Sequence, residues 1–67
     1  MIEIDVEKIA LERAIQGLTV RELSKKSGVG ASTISKLELR KSKPRLTTVA
    51  KIAKGLGKNV EDFIKKE

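Results

Sequence analysis

Sixty-seven residues with a net charge of +6 bound a single domain, one that buries only about 60% of the surface its unfolded chain exposes. Cysteine and histidine are both absent, which excludes disulfides, thiolate chemistry and the usual zinc ligands, so packing alone must hold the fold and no metal or other cofactor is expected. No apolar run approaches the ~18 residues of a membrane span and no signal-peptide pattern opens the chain, so the expectations are no membrane association and a cytoplasmic location.

Residues 1–5 read as a short extended lead, and Asp5 as the N-cap of a first helix over residues 6–16 that Gly17 ends. Val6, Ile9, Ala10 and Ala14 form its apolar stripe, with Arg13 projecting into the middle. An isolated buried guanidinium is very costly, so Arg13 is expected to pair, with Glu38 the best-placed acid, the alternative being that it reaches solvent with its stem on the core. Thr19 followed three residues later by Glu22 is a capping box, and Leu18 and Leu23 occupy the staple positions around it, so a second helix runs over Val20–Ser27. Gly28 supplies the positive φ of a sharp turn. A third helix follows over residues 31–39. At about 100° per residue, Ile34 and Leu37 lie with Val29 on an apolar face while Ser32, Ser35, Lys36 and Leu39 face the other way.

Residues 40–45 form a basic loop holding the only proline. A fourth helix over residues 46–55 brings Leu46, Val49, Ile52 and Ala53 to one side, and Leu56-Gly57 ends it. Asn59 caps a last short helix whose Val60, Phe63 and Ile64 line one face. The expected fold is all-α, a compact five-helix bundle forming one domain over residues 1–67, with its second and third helices arranged as a helix-turn-helix.

The chain resembles the phage-repressor and Cro type of helix-turn-helix domain over roughly residues 6–63. The residues that carry the likeness are Arg13-x-x-x-Gly17-Leu18-Thr19, Glu22-Leu23, Gly28-Val29, Thr33-Ile34-Ser35, Glu38, Pro44, Leu46, Ile52-Ala53-Lys54 and Leu56-Gly57. The chain departs from that pattern at Val20, Ser24, Gly30 and Arg40, where the family commonly has Gln, Ala, Ser or Thr, and Gly. Val20 lacks a side chain that often bonds a phosphate, and Arg40 leaves the third helix without its usual glycine cap. The resemblance implies a bridge between Arg13 and Glu38, and a third helix lying in the major groove of double-stranded DNA. Ala31, Ser32 and Lys36 would then reach base edges, with Ser35 nearby.

Charge placement agrees with that implication. Residues 1–19 carry −2, residues 20–58 carry +9 and residues 59–67 carry −1, so the positive charge is gathered around the helix-turn-helix, the footprint of a duplex-binding surface. Phosphates are expected at the start of the second helix, at Thr19, Val20 and Arg21, where helix amides and the helix dipole favour anions. Lys41, Lys43 and Arg45 would clamp the backbone on the other side. Among the base-reading positions only Lys36 is a long donor, suited to guanine O6 or N7, while Ser32 discriminates poorly and Ala31 offers at most a methyl contact.

Such a thin reading head favours a homodimer on DNA, which places two recognition helices about 34 Å apart. Leu11 and Ile15, one turn apart on the side of the first helix away from its stripe, together with Ile64, supply apolar surface for pairing. The competing expectation is that the lead of Ile2 and Ile4 folds back over Leu11 and Ile15 within one chain. The function expected is sequence-specific DNA binding by a small repressor-like transcriptional regulator with no evident small-molecule effector. The alternative is a helical protein-interaction module on the same fold, such as an antitoxin or a coactivator-like partner. Catalysis is not expected. No nucleophile lies beside a base, and Glu61 and Asp62 are explained as acids at a helix start.

Overall fold

The computed structural model describes residues 2–65. Four α-helices follow one another: α1 (Val6–Ile15), α2 (Val20–Ser27), α3 (Ala31–Glu38) and α4 (Leu46–Gly55). Helix α2 packs on both α3 and α4, and α1 packs on α3. The inner faces meet in a core of Ile9, Leu23, Val29, Ile34, Leu37, Val49, Ile52, Ala53, Leu56 and Phe63, and among the described residues no polar or charged one is buried with them.

Local chemistry sets the boundaries. The Asp5 carboxylate accepts the Lys8 amide at 3.1 Å and starts α1. The full capping box starts α2: Thr19 Oγ1 accepts the Glu22 amide at 3.0 Å, and the Thr19 amide donates to Glu22 Oε1 at 2.8 Å. At the other end Gly28, with φ of 78°, takes the left-handed conformation and donates its amide to the Ser24 carbonyl. Three residues later, at Ala31, α3 begins, so the turn between the helices is tight.

Three helices end in one motif, in which the amide two past the C-cap reaches back to the carbonyl of the third-last helical residue. The bonds are Leu18 to Arg13, Lys41 to Lys36 and Lys58 to Ala53. Gly17 and Gly57 hold the left-handed position in two of them, each with φ of 70°. In α3 that position falls to Arg40, with φ of 60°. The sequence marks this helix end as lacking its glycine; the backbone takes the glycine conformation regardless.

The structure corrects several expectations. The fifth helix is a single 3₁₀ turn, Val60–Phe63. Four residues cannot close a stable α-helical turn against the cost of nucleation, and Ile64 leaves it in an extended conformation. Ile64 pairs instead with Ile4 in an isolated antiparallel bridge, flanked by bonds from the Asp5 amide to the Phe63 carbonyl (2.7 Å) and from the Lys65 amide to the Glu3 carbonyl (2.8 Å). The lead therefore closes on the other end of the chain. It does not cover Leu11 and Ile15, which remain 60% and 68% exposed. Ala14, expected on the core side of α1, is exposed, because at about 100° per residue it lies about 140° round the helix from Ile9, the buried residue of α1. Leu46, expected on the inner face of α4, is also exposed; it is the first residue of the helix, a turn ahead of Val49, where the helix's burial begins.

Candidate nucleic-acid interface

Helix α3 divides along its length. Ile34 and Leu37 are fully buried, whereas Ser32 and Lys36, one turn apart, are exposed, and Ala31 and Ser35 are half-buried between them. The buried pair fixes the rotation of the helix, so the exposed pair is presented outward on a rigid element. Lys36 is the one long donor of that face. Leu39, at the C-cap of α3, extends the same side and is 66% exposed.

The other residues expected to meet DNA stand on the two segments that precede and follow α3 in the chain. At the start of α2, Arg21 is exposed and Val20 turns its side chain inward against the core. The Val20 and Arg21 amides are the first two of the helix and have no partner within it. The Thr19 amide is different: the Glu22 carboxylate already takes it. Of the three residues expected to meet phosphate here, Thr19 therefore offers no free amide. The capping signature that locates the helix in the sequence also signals this, because its second bond consumes that donor.

After α3 comes the loop that leads to α4. Lys41, Lys43 and Arg45 are all exposed there, and the Lys41 amide is held by the Lys36 carbonyl at 2.9 Å. Arg40 pairs with Glu7 of α1. Among the described residues Lys41, Lys43 and Arg45 have no ion-pair partner.

Behind this surface Arg13 ties three segments together. Its Nε and Nη2 each donate to the Glu38 carboxylate at 2.8 Å, and its Nη1 donates to the Leu18 carbonyl at 2.7 Å. The side chains are only 21% and 13% exposed. Hydrogen bonding to Glu38 raises the Arg13 pKa further, with burial opposing it, so the guanidinium stays charged. The fork joins α1, the entry to α2 and the last residue of α3. In this way it sets the position of the exposed α3 face relative to the start of α2. A second link, from Gln16 Nε2 to the Leu56 carbonyl at 2.7 Å, joins the end of α1 to the end of α4.

Among the described residues no helix is long and apolar enough to cross a membrane. A family model described as Helix-turn-helix matches residues 9–63, which takes in all of α2, α3 and α4. The chain is 42% identical over 56 residues to an uncharacterized HTH-type transcriptional regulator of Methanocaldococcus jannaschii, covering 84% of this chain and 85% of that one. It is also similar to the crystal structure of an HTH_3 family transcriptional regulator from Vibrio cholerae, with a TM-score of 0.81 and 25% identity. That likeness covers 84% of this chain but 32% of the Vibrio chain, so this chain spans about a third of that protein.

Proposed function

The chain belongs to the HTH_3 (Cro/C1-type) helix-turn-helix family, and from that membership we propose that it is a DNA-binding transcriptional regulator, a repressor-like protein that reads double-stranded DNA with α3 in the major groove. The observation that carries this reading is the two-sided α3: an exposed Ser32 and Lys36 backed by buried Ile34 and Leu37. Lys36 contacts guanine, Ser32 and Ser35 accept or donate at neighbouring edges, and Ala31 leaves room for a thymine methyl. Phosphates are held by the Val20 and Arg21 amides at the start of α2 and by Lys41, Lys43 and Arg45 across the groove. The Arg13–Glu38 pair serves by fixing α3 for this contact.

One molecule is 31 Å in its longest dimension and carries a single α3, whereas adjacent half-sites lie about 34 Å apart. Reading both therefore takes two chains. We assign their pairing to the exposed α1 side of Leu11, Ala14 and Ile15. A helix of this length extends only about 15 Å, less than a standard interface of about 800 Å² per partner needs, so the homodimer forms on DNA and is weak without it. Selection of bound sequences from random duplexes tests the reading, with sedimentation of the free protein and of its complex. Enriched two-fold sites carrying two chains support it. No enrichment at any salt concentration rejects the DNA reading, and one chain per site rejects the dimer.

A further inference from the structure

The extended lead and the loop after α3 border an open cleft of about 740 Å³, of which the DNA reading uses only Lys41 and Lys43. Ile2, Ile4 and Val6 supply its apolar side, and Arg40, Lys41 and Lys43 its basic side, against a single lining acid, Glu3. The backbone along one wall is also unpaired. In the bridge to Ile64 the bonds are made by the Asp5 amide and the Glu3 carbonyl, so the N–H and C=O of Ile4 point away from the Phe63 to Lys65 side, as at every non-hydrogen-bonded antiparallel pair. Among the described residues neither group has a partner. Residues 63–65 do not line the cleft, which opens along the other edge of the lead.

We propose that this cleft binds an extended acidic peptide segment of a partner protein, which adds a strand to the free edge at Ile4. An exposed strand edge takes an extended chain through main-chain bonds, with pockets for alternate side chains. Period-two alternation sends apolar side chains to Ile2, Ile4 and Val6 and carboxylates to the lysines. Of those cations Lys41 and Lys43 have no ion-pair partner among the described residues, while Arg40 is occupied by Glu7. An amphiphilic carboxylate would satisfy the charges and the apolar wall but leave the Ile4 edge unmet, and that edge favours the peptide. Because Lys41 and Lys43 are also proposed phosphate contacts, peptide and duplex compete; this consequence alone rests on the DNA reading.

The test is an NMR titration of the whole ¹⁵N-labelled protein, without DNA, using an acetylated and amidated octapeptide of alternating Glu and Val. The expected result is shifts confined to residues 2–6 and 40–44, with new hydrogen-exchange protection of the Ile4 amide. Lys41→Glu with Lys43→Glu should weaken binding at least about tenfold. Ile2→Glu, at an exposed position, should weaken the peptide and leave duplex binding unchanged. No shift in those two segments overturns the proposal, as does equal binding of a Lys and Val octapeptide. Decanoate binding as well as the peptide, with no protection of Ile4, overturns it in favour of a small amphiphile. A protein that binds the octapeptide but no duplex keeps this inference and loses the DNA reading; one that binds duplex but not the octapeptide does the reverse.

Discussion

Arg13 makes three hydrogen bonds inside the molecule, and the consequence is an energetic asymmetry. Removing either partner strands the other in a poorly solvated place, which for a buried pair costs about 3–5 kcal/mol; with Arg13 and Glu38 still partly exposed, the lower end applies. Arg13→Ala and Glu38→Ala should each destabilise by about 3 kcal/mol, and the double variant by clearly less than the sum. Urea unfolding of all four proteins checks it, and full additivity would refute the coupling. Glu22 makes a different prediction. Its carboxyl sits below the usual 4.5 because it accepts the Thr19 amide and interacts with the Thr19 side chain. The unfolded state therefore binds the proton more readily, so this contribution is present above about pH 4.5 and fades as the pH falls through the folded-state value. Glu22→Gln should flatten the fall in stability below that pH, as measured by thermal melts between pH 2.5 and 6; unchanged slopes would count against the capping box as its source.

Helices α2 and α4 meet closely at their ends, where Gly55 stands against Ser27. A Cβ at Gly55 would stand 2.9 Å from Ser27 Cβ and 3.0 Å from its backbone. Helix propensity alone favours alanine there by about 1 kcal/mol, but overpacking costs about 1–3 kcal/mol, and here the obstacle is main chain that cannot rotate away. Gly55→Ala should lower stability by about 1 kcal/mol in denaturant titrations; a gain of stability would show that the helices have room to separate. Nothing in the sequence signals this contact, since it depends on how two distant segments approach. Elements started and stopped by local chemistry were legible: Asp5, the Thr19 and Glu22 box, and Gly28 mark real boundaries. The 3₁₀ turn was not, because Val60, Phe63 and Ile64 fit a helical period although a long-range bridge holds Ile64 extended. Arg40 is intermediate, since the missing glycine could be read, but not the left-handed backbone that tertiary packing imposes.

Across the whole molecule the division of charge separates two kinds of variant. Lys36→Ala should change which sequences are preferred, costing about 1–3 kcal/mol at one base position. Lys43→Ala should weaken all duplexes alike and reduce the slope of log K against log salt by about one. Binding titrations over a salt series against two unrelated duplexes check both, and a change of preference from Lys43→Ala would undo the assignment. For the candidate interface, the inside and outside of α3 follow from helical period, so the exposure of Ser32 and Lys36 could be foreseen. The occupied Thr19 amide and the cleft beside the loop could not be foreseen as readily, because each depends on where a second group comes to rest.

The bridge between the two ends of the chain also orders events in time. Residues 3–5 meet residues 63–65, a contact that closes nearly the whole chain into one loop, and loop-closure entropy grows with the length enclosed. The four helices can assemble through shorter loops, so this clasp closes last and opens first, held as it is by few bonds at the surface. The amides of Asp5 and Lys65 should therefore exchange with deuterium well before those of Leu23 and Ile52 in the core; equal rates would mean that the molecule opens only as a whole.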